Sequence, residues 1–249
     1  MNISSNSLFH YTQRLETLVS ILKNGFYPSF SKEMIITNGA IHFYAVPIIS
    51  FCDIPLSQVT EHLKKYGNYG IGITKEFAIK HGFNPVLYLE NLSAVNEGIF
   101  KIHRYVLSNY ESMLDDEGFQ NCNIGLLQVL QIIKNHTGIL DRPGRQTGKY
   151  EFYKEKEWRF TPILTDEKQM YTSDELDILE EKYPSKPHIT SICLPLSFED
   201  VSYILVESDT DIPILVTALN EATNLYKDDD QLKILLTKIF TADQIKDDF

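Results

Sequence analysis

The segment Phe152-Tyr153-Lys154-Glu155-Lys156-Glu157-Trp158-Arg159 sets two carboxylates two residues apart among aromatics and cations. Read as a β-strand, it points Glu155 and Glu157 to one face and Lys156 and Trp158 to the other. Two carboxylates on one face repel, which raises one of the pair's pKa values and suits acid–base work or the holding of a sugar hydroxyl. The same spacing equally suits an exposed strand face salt-bridged to Lys154, Arg159 or an arginine of the preceding loop. Near the start, Leu8-Phe9-His10-Tyr11-Thr12 places an imidazole in a second strand-like aromatic run. His10 is either a site residue or a buried ring bonded to a backbone carbonyl. Burying such groups costs several kcal/mol unless they pair or face a ligand. Trp158 is therefore expected in the core, with Arg159 paired to a carboxylate, Asp53 leading.

Other chemistry is weaker. Gly67, Gly70 and Gly72 resemble a phosphate cradle loosely, but no Gly-Lys-Ser/Thr follows and they lie in a strand pattern. Ser50, Cys52 and His42 suggest a hydrolase, yet no Gly-x-Ser-x-Gly surrounds Ser50. The histidines do not fall at helical i, i+4 pairs, so no metal site is expected. Cys52, Cys122 and Cys193 lack paired spacing and read as buried free thiols.

The elements that must position these residues alternate along the chain. A helix follows the His10 strand, with Thr12 as its cap and Asn24-Gly25 as its stop. Residues 28–38 read as loop, and 41–51 as a strand broken at Pro47. Further strands are expected at 69–73, 85–89, 189–194 and 201–206. Helices are expected at 57–66, from a Thr74 cap to His81-Gly82, at 174–182 and at 212–226, with two pieces joined around 115–123 in an insertion at about 94–135 and a C-terminal helix at about 229–240. The interleaving, without a Gly-rich helix start after any strand, gives a mixed α+β fold in a single domain over residues 1–249.

Composition narrows the function. A 43% hydrophobic content supports a sizeable core. No long apolar run spans a membrane and Met1–Ser7 lacks a signal-peptide pattern, so cytoplasmic residence is expected. A net charge of −11 disfavours broad nucleic-acid binding. It leaves room for a basic patch between 141 and 159 that includes Arg142, Arg145, Lys149 and Lys154.

The order of segments resembles the AbiGi-type abortive phage infection family. The pieces that carry it are Leu8–Thr12, Ile49-Ser50-Phe51-Cys52-Asp53-Ile54-Pro55-Leu56-Ser57, Tyr66–Gly72, Asn84–Tyr88, Phe152–Arg159 and Tyr203–Ser208. The resemblance implies a phage-defence protein that serves as antitoxin to a nucleotidyltransferase-like toxin.

The layout of a His-Tyr strand, a middle aromatic strand and a late Glu-x-Glu strand is also similar, more distantly, to ADP-ribosyltransferases. That likeness implies an ADP-ribosyltransferase-like mixed β core with inserted and C-terminal helices. It further implies NAD as cofactor, with His10 on the ribose, Tyr44 or Tyr11 on the nicotinamide and Arg159 among the cofactor contacts. Glu157 would hold the ribose 2′-hydroxyl and Glu155 would orient the acceptor. A carboxylate aimed at the oxocarbenium-like sugar stabilises charge that exists only in the transition state. The Ser-Thr-Ser form of the middle motif is missing. Two function classes result: a transferase acting on a macromolecule, and a non-catalytic antitoxin or regulatory module binding a partner toxin.

Overall fold

A computed structural model describes residues 6–139, 148–165, 168–182 and 189–248. In chain order the elements are β1 (Ser7–Thr12), α1 (Leu15–Asn24), β2 (Ser29–Thr37), β3 (Ala40–Cys52), α2 (Thr60–Tyr66), β4 (Tyr69–Thr74) and α3 (Lys75–Lys80). There follow β5 (Asn84–Pro85), β6 (Leu87–Leu89), α4 (Ala94–Asn109), α5 (Glu117–Ile132), β7 (Ile133–Asn135), β8 (Thr137–Ile139), β9 (Lys149–Glu151) and β10 (Glu157–Phe160). The chain closes with β11 (Tyr171–Thr172), α6 (Ser173–Lys182), β12 (Val201–Val206), α7 (Ile212–Glu221), α8 (Asp229–Leu236), β13 (Ile239–Thr241) and α9 (Ala242–Asp248). This is a mixed α+β architecture with largely antiparallel strands, and it divides into two compact units.

The first unit comprises Met1–Tyr27, Ile49–Phe83 and Thr190–Phe249. Its strands run in the order β13-β12-β4-β1, ending on the last residues of β3. The β1–β4 register sets Phe9 opposite Gly72 and Tyr11 opposite Gly70. A Cβ on Gly72 would stand 2.9 Å from the Phe9 ring and 3.1 Å from Tyr203. Gly72 therefore admits the stacked rings of Phe9 and Tyr203, 5.7 Å apart, while Gly70 admits the Tyr11 ring. Ile54 and Val59, ahead of α2, form a core cluster with Leu63 of α2, Leu205 of β12 and Ala242 and Ile245 of α9.

The second unit comprises Pro28–Ile48 and Asn84–Ile189. Its frame is the β2–β3 hairpin, in register from Ser29↔Ile48 to Thr37↔Ala40. Asn38 and Gly39, at φ 48° and 82°, make the tight turn whose twist suits antiparallel strands. The inner face of the hairpin packs Ile35, Tyr44 and Val46 against Phe100, Leu126 and Leu130 of α4 and α5. Asn96 and Asn135, both fully enclosed, then satisfy the free edge of β2. Asn135 Oδ1 accepts from the Ile36 amide at 2.7 Å, and Asn96 Nδ2 donates to its carbonyl at 2.8 Å.

Several local expectations are corrected. Residues 28–38 are mostly strand: apolar residues on both faces and the buried Glu33 hide the alternation. Arg14, not Thr12, precedes α1, and Gly25 ends it at φ 80°. Residues 189–194 hold only an isolated bridge from Leu194 to Phe26. The final helical run stops at Leu236, after which β13 pairs in parallel with β12. The three cysteines are free, but Cys122 and Cys193 are exposed and Cys52 is partly so.

Candidate functional site

The chemistry singled out in the sequence assembles as a buried ion cluster in the second unit. On β10, Glu157 and Arg159 share the inward face, because side chains two apart on a strand point the same way. Glu155 reaches the same place by another route. Residues 152–155 form a 3₁₀ turn, and Lys156 turns left-handed at φ 44° before the strand begins. The two carboxylates thus converge through a turn, not through strand alternation.

Between them sits Lys134 of β7, whose Nζ lies 3.0 Å from Glu155 and 2.9 Å from Glu157. Arg159 is fully enclosed and bonds Glu157 through Nε at 2.7 Å, Glu33 of β2 at 3.0 Å and the Gln131 carbonyl at 2.8 Å. Asp53, the partner expected from sequence, instead holds Lys75 at 2.7 Å in the first unit. Trp158 is half-buried, not fully in the core.

Burial by itself lowers the pKa values of Lys134 and Arg159. Glu157, Glu155 and Glu33 override it at Lys134, and Glu157 and Glu33 at Arg159, so both cations are held above their ordinary ranges. Tyr44 points its hydroxyl to the Leu130 carbonyl at 3.1 Å, and burial with the nearby Glu33 charge raises its pKa. The Tyr88 hydroxyl accepts from the Glu157 amide at 2.8 Å and seals the strand's start.

Tyr44, Glu155, Glu157 and Arg159 therefore belong to one unit, whereas His10 and Tyr11 belong to the other. His10 Nδ1 donates to the Ser50 carbonyl at 2.9 Å, and the ring packs 5.4 Å from both Phe26 and Phe51. Burial lowers its pKa more than this bond raises it. The Tyr11 hydroxyl is buried without a hydrogen-bond partner among the described residues, and burial raises its pKa. Arg142 and Arg145 of the expected basic patch lie outside the described residues, while Lys154 pairs with Glu151 at 3.0 Å.

Sequence reasoning missed Glu33 and Lys134. Glu33 sits beside Lys32 ahead of Met34-Ile35-Ile36, and Lys134 directly follows the apolar run that ends at Ile132-Ile133.

No group of three or more His, Cys, Asp or Glu side chains suited to a metal ion occurs among the described residues. None of the described helices is long and apolar enough to cross a membrane.

Residues 24–207 match the model of a family of phage-resistance proteins. That family is described as "Putative abortive phage resistance protein AbiGi, antitoxin", and the chain belongs to it. A relative from Lactococcus lactis subsp. cremoris, the abortive phage resistance protein AbiGi, is 28% identical over 241 residues, covering 90% of this chain and 95% of its own. No solved structure gives a significant match.

Proposed function

We propose that this protein is a cytoplasmic phage-defence antitoxin that acts by binding a partner toxin, with its Glu-x-Glu segment serving the fold. The observation that carries this reading is the engagement of Glu157. One oxygen takes Arg159 Nε at 2.7 Å and the other takes Lys134 Nζ at 2.9 Å and Arg159 at 3.2 Å. A carboxylate so neutralised and enclosed is not presented to a ribose hydroxyl, and its charge is already spent on the two cations. His10 is likewise committed to the Ser50 carbonyl within an aromatic cage. His10, Tyr44, Glu155, Glu157 and Arg159 are thus each engaged by partners within their own chain. The family description, which names an antitoxin, supports the same choice.

The test is co-expression with the toxin of the same defence locus, followed by purification without NAD. Restored growth together with one co-eluting complex is expected. Restored growth with the toxin left free and covalently modified would instead support the transferase alternative, in which ADP-ribose passes from NAD to a macromolecule on an ADP-ribosyltransferase-like fold.

A further inference from the structure

The connection between α4 and α5, in the second unit, is apolar, acidic and firmly held. Leu107, Tyr110 and Leu114 are 62%, 42% and 50% exposed. With Ile102 and Tyr105 they make five of the nineteen large apolar side chains exposed among the described residues, all within 102–114. Single exposed hydrophobics are ordinary, but a cluster of this kind marks a contact surface. The backbone keeps winding right-handed through the connection, with Tyr110 at φ −56°, ψ −51° and Leu114 at φ −57°, ψ −35°. Leu107 at the end of α4, Tyr110 just before the single 3₁₀ turn at Glu111–Met113 and Leu114 just after it thus stand exposed within one short stretch.

The connection is also tied down. The Ser112 hydroxyl donates to the Asn109 carbonyl at 3.0 Å, Gln120 Nε2 donates to the Leu114 carbonyl at 3.2 Å, and Asp116 caps α5 through the Phe119 amide at 2.6 Å. Met113 packs on the core, so its neighbours are presented with little freedom left to lose on binding.

Charge selects the occupant. No Lys, Arg or His lies between Arg104 and Lys134, whereas Glu111, Asp115, Asp116 and Glu117 crowd the turn. Among the described residues Glu111, Asp115 and Glu117 have no ion-pair partner. A second copy docked symmetrically would set this acidic patch against itself, which repels. An anionic membrane is disfavoured for the same reason.

We infer that this turn is the docking surface for the partner toxin. Leu107, Tyr110 and Leu114 enter an apolar depression, and lysines or arginines on its rim face Glu111, Asp115 and Glu117. The inference rests on the contact-antitoxin reading and adds where contact is made.

The experiment is calorimetric or optical binding of the purified protein to its co-encoded toxin at two salt concentrations. Tyr110→Ser with Leu114→Ser should weaken binding by at least about 30-fold. Glu111→Gln, Asp115→Asn and Glu117→Gln together should slow association by about tenfold and flatten its salt dependence. Ile214→Ser on α7, also exposed, is the control and should bind as wild type. Unchanged melting temperatures establish that the variants fold. If wild type binds and the tip variants bind equally well, the docking surface is elsewhere and the contact reading stands. If wild type does not bind at all, the contact reading fails and takes this inference with it. A wild-type dimer that Tyr110→Ser with Leu114→Ser dissociates would assign the face to a second copy and overturn the proposal.

Discussion

Arg159 and Glu157, two residues apart on one strand, are bound to each other inside the protein, Nε to Oε1 at 2.7 Å, with Arg159 fully enclosed. A pair this deep is destabilising to break from either side, because the surviving charge is left in a medium that solvates it poorly. Glu157→Gln and Arg159→Met should each lower unfolding free energy by about 3–5 kcal/mol. The double variant should recover part of that loss, since both charges leave together. Urea denaturation of the four proteins measures the cycle. An unchanged Glu157→Gln midpoint would show that the carboxylate is not structural.

Asn96 is a second structural polar group. It accepts from the Thr37 hydroxyl at 2.8 Å and donates to the Ile36 carbonyl at 2.8 Å while wholly enclosed. Asn96→Leu should cost about 2–4 kcal/mol, as partners are left buried and unsatisfied. Hydrogen exchange should show early opening at β2. Uniform protection across β2 in this variant would contradict the edge-sealing role.

His10 ties stability to pH. Its folded pKa is depressed below the ordinary 6.5 by burial, so the unfolded chain binds the proton more readily. The neutral ring's contribution is complete above about pH 6.5 and is lost as pH falls through the folded value. Melting temperature should therefore drop between pH 7.5 and 5, and less steeply in His10→Gln. Burial depresses His42, His81 and His103 as well, so a residual slope remains. Equal slopes in the two proteins would refute the assignment to His10.

Two glycines should respond in opposite directions. Gly67 sits at φ 119°, and a Cβ there would stand 2.2 Å from the Thr12 carbonyl oxygen, so Gly67→Ala should cost at least about 1–2 kcal/mol. Gly98, inside α4, has nothing within 4 Å of its would-be Cβ. Gly98→Ala should stabilise by about 0.5–1 kcal/mol. Thermal melts of both variants settle the signs.

The sequence was most readable where one physical signal dominated. Thr74, read as the cap of a short helix, does accept the Phe77 amide at 3.2 Å. Helices α4 and α5 follow from their apolar spacing, although the joint lies at 110–116, ahead of the 115–123 expected. β2 was hidden because Lys32 interrupts the apolar face of Phe30, Met34 and Ile36, and Ile35 interrupts the polar face of Ser29, Ser31, Glu33 and Thr37, which blurs the alternation. The Asn38-Gly39 pair between two apolar runs was the signal that would have revealed the hairpin. Lys134 and Glu33 escaped notice for another reason. They meet the Glu-x-Glu segment from 21 or more residues away, and no local pattern encodes a partner at that distance.

The central claim is neutralisation by contact, and stoichiometry tests it most directly. Toxin activity should be titrated with purified protein, with and without NAD. A binder inhibits to an end point at an equivalent amount of protein, and NAD makes no difference. Full inhibition by a small fraction of an equivalent, growing with time and only when NAD is present, would contradict the account and establish a catalyst.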